Sequence, residues 1–194
     1  MNMHKTLTFK LTSEAPILLH NGQLADPTNK WAKEMKKISS KRNKTESDFE
    51  ELARLEWLGS LYTNKASQVV IPDMVVTAAL LAGAKKFRLG KQAQAGLFVF
   101  EHARLEFDGD DLPLKELWER DENRFTVGVN VQRSKVMRTR FIAHEWQLIV
   151  PVTYEDSLLN ESQVLEIADA AGTQVGLCDW RPRYGRFTPQ LLTD

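Results

Sequence analysis

Between Asn123 and Ala143 the chain carries five Lys and Arg residues and no acid, and Arg133, Lys135, Arg138 and Arg140 fall within eight positions that also hold Val136 and Met137. Cations at this density neutralise phosphates, and an apolar side chain among them can wedge beside an unpaired base; together these suit single-stranded nucleic acid. A solvated surface loop would carry the same charges. Binding is the preferred reading because the acid-free run coincides with a β-alternating stretch. A second group lies in GLCDWRPRYGRF, residues 176–187, where Arg181, Arg183 and Arg186 interleave with Trp180, Tyr184 and Phe187. The glycines permit close backbone approach, so these arginines read as stacking or phosphate contacts, while the aromatics serve a core equally well. Lys85, Lys86 and Arg88 add charge at the end of a central helix. Lys33, Lys36, Lys37, Lys41 and Arg42 add more in a basic segment that is expected to order on a partner.

Other chemistries find less support. His102 and His144 fall on expected strands without metal-ligand spacing. Cys178 is the only cysteine, which excludes an internal disulfide and a cysteine-based zinc site within the chain and fits a reducing, cytoplasmic compartment. No P-loop, dinucleotide fingerprint or nucleophile elbow occurs. Apolar runs fall short of the ~20 residues a membrane helix needs, and the start, MNMHKTLTFKL, lacks the apolar region of a signal peptide. Net charge is zero, which argues against a general polyanion surface, yet the charges come in blocks. Lys30 to Lys44 holds seven bases against Glu34 alone, and Glu101 to Glu122 holds nine acids against three bases. Such blocks can give one neutral body a basic groove and an acidic back.

The elements that must position these groups are organised around Val69 to Gly90. Pro72 and Asp73 supply helix-start chemistry, and Gly90 is expected to end the helix. Val76, Ala79, Leu80, Gly83 and Phe87 recur on one narrow face suited to covering a sheet. His4 to Leu11 alternates as a first strand. Ala15 to Asn29, with its Asn-Gly and Asp-Pro pairs, is a loop leaving the sheet. Lys30 to Tyr62 contains two helical stretches, the second striped by Phe49, Leu52, Leu55, Leu58 and Tyr62, and residues 28–64 form a helical insertion. Gly96 to Phe107 reads as an internal second strand, with a short helix around Leu117 and Trp118 after it. Residues 124–150 form a projecting β-hairpin with the four basic residues near its tip. Asn160 to Ala171 is a second helix, closed by Gly172, and the tail ends in an apolar strand. Without the insertion, the order is that of one α+β domain over residues 1–194, a ferredoxin-like (RRM-like) antiparallel sheet with two helices on one face. Positive charge is expected on its open face and on the ribbon.

The early loop ending in a helical insertion, the strand-to-helix step IPDMVVTAAL and the C-terminal glycine, arginine and aromatic segment together resemble the RAMP superfamily, the ferredoxin-like RNA-binding proteins of CRISPR antiviral defence. The likeness is greatest to the backbone subunits that polymerise along guide RNA, although those usually have IPG where this chain has IPD. The resemblance implies that Gln132 to Arg140 is a thumb, Lys30 to Tyr62 a finger-like insertion and Asp73 to Phe87 a palm helix beside RNA. It further implies a noncatalytic, self-assembling subunit of a ribonucleoprotein complex that needs no cofactor. Asp26 falls where some target-cleaving backbone subunits carry a metal-assisting aspartate, which would bring in magnesium. His20 falls where certain processing nucleases of the superfamily place a general base. An endoribonuclease using either residue is thus one alternative. Another is a protein-interaction module or mimic that joins a nucleoprotein complex through the acidic 101–122 segment and the basic insertion.

Overall fold

The computed structural model describes residues 4–131 and 133–193. Strand β1 (His4–Ser13) points Phe9 and Leu11 inward, as its alternation requires. After β2 (Ile17–Leu18) and a 3-10 turn at Gly22–Ala25 come α1 (Lys30–Ser39) and α2 (Glu46–Ser60). Strand β3 (Val70–Ile71) feeds α3 (Asp73–Lys86), and α4 (Gly90–Gly96) feeds β4 (Leu97–Phe98). Two more short strands, β5 (Ala103–Arg104) and β6 (Glu106–Phe107), precede α5 (Leu114–Glu119). A ribbon of β7 (Arg124–Val131) and β8 (Ser134–Ala143) is followed by β9 (Trp146–Glu155), α6 (Glu161–Ala170) and β10 (Phe187–Leu192).

The fold is α+β. Its main sheet runs β10-β1-β9-β4, with every neighbour antiparallel. Helix α3 carries the chain from β1 past β9 to β4, and α6 carries it from β9 past β1 to β10, which is the split βαβ connection. Between helices and sheet lie Val76 and Leu80 of α3, Val164 and Ile167 of α6, and Leu148, Val150 and Val152 of β9, all buried. Each side chain of this kind contributes roughly 1.5–3 kcal/mol. Asn160 caps α6 in a reciprocal capping box with Gln163, which fixes where that helix starts.

Several elements depart from the sequence reading, each for a local reason. Gly90 opens α4 instead of ending α3; the left-handed residue at the end of α3 is Arg88, at φ 63°. Phe87 caps α3 and is 41% exposed, so it leaves the packed face. Gly172 lies inside a π turn that extends α6, and the chain turns at Gly176, φ 77°. The stretch 96–107 is not an internal strand: it forms three two-residue strands, of which β4 and β6 lie along the outer edge of β9. The segment 15–29 is more than a surface loop, because Ile17, Leu18 and Leu19 are fully buried and β2 pairs with β8. In α2 the expected apolar stripe holds at Leu55, which is buried, and at Leu58, which packs on the core, but not along its whole length. Phe49 is 60% exposed, while Trp57 is buried and donates its indole N–H to the Asn123 carbonyl.

The ribbon is shorter than expected. Its register ends at Val131 opposite Ser134 and at Arg124 opposite Phe141, and residues 146–155 belong to β9 in the main sheet. The open face of the sheet is not basic either. Among the outward side chains of β1, β9 and β10, such as Thr6, Thr8, Ile149 and Thr153, Lys10 is the only Lys or Arg.

Candidate nucleic-acid interface

Chain direction decides which basic groups can act together. Strand β1 runs from His4 to Ser13, α3 runs back, and β4 re-enters the sheet with Leu97 opposite Tyr154, whose other neighbour is Lys5. Lys85, Lys86 and Arg88 therefore lie toward the His4 end. The ribbon, β2 and the 176–186 loop gather at the Ser13 end, where Phe187 pairs with Ser13 and the Asp179 N–H donates to the Leu18 carbonyl. Arg181, Arg183 and Arg186, all exposed, join the ribbon there, whereas Lys85, Lys86 and Arg88 do not.

Within the ribbon, period-two geometry divides the four sequence-selected residues. Arg138 opposes Val127, and Arg140 opposes Phe125, so both guanidiniums stand on the face that carries Val129. Lys135 and the 60%-exposed Met137 stand on the other face. The Lys135 stem crosses Gly128, where any Cβ would meet its Cε at 2.5 Å. Arg133 occupies the turn at φ 72°, and Gln132 lies outside the described residues. The cluster thus runs from the turn down β8 toward the ribbon's base.

Two of the four cations have carboxylate partners. Glu56 of α2, 10% exposed at its side chain, accepts from Arg138 at 3.0 Å and from the Thr139 backbone N–H at 2.9 Å. Asp179 accepts from Arg140, whose guanidinium also lies over the Trp180 ring, 5.7 Å from its centroid. Trp180 and Tyr184 pack edge-on against Phe125, closing the ribbon's base. Neither carboxylate was a candidate from the sequence. Their partners are 82 and 39 residues away, and no local pattern encodes such a pair.

A cleft of about 500 Å³ opens between α1 and the Val129 face of the ribbon. Leu24, Met35 and Val129 supply apolar wall, and His20, Lys36, Arg138 and Arg140 supply polar groups. Its mouth is set by α1, whose start is capped by Asn29. The 3-10 turn beneath is tied to α2 by Asn21 and Gln23, which donate to the Leu61 and Gly59 carbonyls. His20 reaches solvent at one edge. Enclosure by the surrounding atoms, and secondly the Arg140 guanidinium, hold its pKa below the ordinary 6.5.

No protein-family model and no curated protein matches the chain. The site's chemistry accordingly rests on the residues themselves. Lys33, Lys36 and Arg42 of the insertion, Arg133 and Lys135 of the ribbon, and Arg181, Arg183 and Arg186 of the 176–186 loop make no ion pair among the described residues, while Lys37 pairs with Glu34 and Lys41 with Asp48. Two of the acidic segment's three bases pair within it, Arg104 with Asp110 and Arg120 with Asp108 and Glu122, and its Asp121 binds Arg124 at the start of the ribbon.

Asp26 is exposed, and its carboxylate accepts from the Thr28 N–H at 2.8 Å and the Thr28 hydroxyl at 2.7 Å, which hold its pKa below the usual carboxylate range. This is turn chemistry. Asp73 does not cap its own helix; it lies 3.0 Å from His102 Nδ1, a pairing that spans 29 residues. No group of three His, Cys, Asp or Glu side chains placed to hold a metal ion forms among the described residues. No helix there is long and apolar enough to cross a membrane. Burial pushes the Cys178 thiol up to about 12.

Proposed function

We propose that this protein binds single-stranded RNA through its ribbon end, as a RAMP-like backbone subunit that assembles with further copies along a guide RNA in the cytoplasm. One observation carries this reading: the insertion, the ribbon and the 176–186 loop converge on one end of the sheet and bring cations without carboxylate partners among the described residues. Paired cations nearby have part of their charge offset by a carboxylate, so the unpaired ones supply most of the attraction. Exposed Met137 and Trp180 offer apolar surface to unstacked bases. Fluorescence anisotropy with a labelled RNA of about 16 nucleotides tests the reading. Affinity falls steeply between about 50 and 200 mM salt, and replacing Arg133 and Lys135 by Ala weakens binding without lowering the melting temperature. Salt-independent binding, or a double variant that binds as wild type, counts against it.

A second reading, an endoribonuclease acting through His20, is favoured by one observation: this histidine, with its proton affinity lowered, lies beside two guanidiniums in the cleft. Labelled RNA incubated with EDTA tests it. Cleavage lost in His20→Ala supports the enzyme, and intact RNA after long incubation removes it.

A further inference from the structure

We propose that the cleft between α1 and the ribbon is a subsite for one phosphate group, centred on the Arg140 guanidinium and flanked by His20 and Lys36. For a phosphate of an RNA strand, this rests on the binding reading above; a free phosphate offers the same chemistry.

Arg140 is placed with care by the fold. Its side chain is 12% exposed, and Asp179 accepts from one terminal nitrogen of the guanidinium. The Nε–H is buried and has no hydrogen-bond partner among the described residues. The other terminal nitrogen, Nη2, makes no hydrogen bond among the described residues and is not one of the fully enclosed atoms, so it is the donor that an anionic oxygen entering from the cleft would meet. Charge balance points the same way. Lys36, Arg138 and Arg140 face Glu56 and Asp179, which leaves one formal positive charge around the cleft. A phosphodiester brings one negative charge. The apolar walls from Leu24, Met35 and Val129 suit the sugar or base attached to the phosphate better than a bare hydrated ion.

His20 provides a reporter. The charged groups acting on it are Arg140 and Arg138, which disfavour its imidazolium, and Asp179 and Glu56, which favour it. An anion beside Arg140 offsets the guanidinium and raises the His20 midpoint. The test follows histidine ring resonances of the full chain by NMR through a pH series, with inorganic phosphate, adenosine monophosphate, or an RNA of about 16 nucleotides. The expected result is an upward shift at His20 with His102 and His144 unmoved. Arg140→Lys, which keeps the charge but loses the fork of guanidinium donors, should abolish the shift. Lys36→Ala, on an exposed helix surface, should weaken the response roughly ten-fold at unchanged melting temperature. This second variant keeps the test decisive if Arg140→Lys fails to fold. Response to RNA but not to the small anions assigns the site to the strand; response to the small anions but not to RNA assigns it to a free phosphate. A His20 midpoint that ignores all three probes, or that shifts unchanged in Lys36→Ala, overturns the proposal. RNA binding by anisotropy with His20 unmoved also overturns it, while leaving the RNA reading intact.

Discussion

Glu56 and His20 show how single residues set the properties of the ribbon end. Glu56 serves Arg138 and the Thr139 N–H together, so Glu56→Ala removes an acceptor from a buried amide and a partner from a guanidinium that is 34% exposed. The amide bears the larger loss because water reaches the guanidinium, and we expect a cost of about 2 kcal/mol, read from the urea midpoint. Glu56→Gln keeps an amide acceptor for Thr139 and should cost less; equal costs would place the whole effect in the ion pair. For His20 the sign follows from linkage. Its pKa in the fold lies below the unfolded value of 6.5, so between the two the unfolded chain binds more proton and stability rises with pH. This contribution is complete above 6.5 and is lost on acidification through the window below it. Melting temperatures across that window should therefore fall more steeply for wild type than for His20→Gln, and parallel curves would refute the assignment. Little of this was legible in the sequence: the cations stand out as a run, but their carboxylate partners lie far away along the chain.

At the scale of elements, the periodic segments were legible and the punctuation was not. The inward faces of β1, α3 and α6 follow from spacing alone, since Phe9, Val76, Leu80, Val164 and Ile167 recur with the period of their element. Gly90 and Gly172 read as stops because glycine commonly ends helices, yet Arg88 and Gly176 take the left-handed positions. In α2 the buried surface is wider than the stripe because the last turn is enclosed on several sides: Leu24 covers Gly59, Phe141 donates its N–H to the Ser60 hydroxyl, and Trp57 reaches Asn123. What reads as an insertion is thus the ribbon's support. Gly83 does carry a packing role, because a Cβ there would stand 2.6 Å from the Ile167 carbonyl oxygen and 3.0 Å from the Ala171 nitrogen. Both are backbone atoms of the α6 region, so α3 would have to move away. Overpacking costs about 1–3 kcal/mol, against about 1 kcal/mol gained from helix propensity, and Gly83→Ala should be a net loss in thermal and urea unfolding. The reverse change at an exposed position of the same helix, Ala78→Gly, reads the propensity difference by itself and should cost about 1 kcal/mol. A stabilised Gly83→Ala would show that the two helices can separate freely.

For the whole molecule, zero net charge conceals a division that only the fold reveals. The sequence holds basic blocks at 30–44, 85–88, 133–140 and 181–186, and nothing in their spacing tells which of them share a surface. Strand order answers this: α3 carries its basic end toward His4, while the other three blocks meet around Ser13. Two groups of three cations can therefore be compared at equal change in net charge. Replacing Lys85, Lys86 and Arg88 by Ala should leave RNA affinity and its salt slope close to wild type, since these charges lie beyond the ~8 Å Debye length that screens exposed groups at physiological salt. Replacing Arg133, Lys135 and Arg183 by Ala should lower the affinity and reduce the slope by about one for each phosphate that is no longer neutralised. Both triple variants should keep the wild-type melting temperature, because none of the six side chains makes an ion pair among the described residues. Equal losses in the two variants would mean that the RNA responds to overall charge and not to the end of the sheet where the ribbon stands.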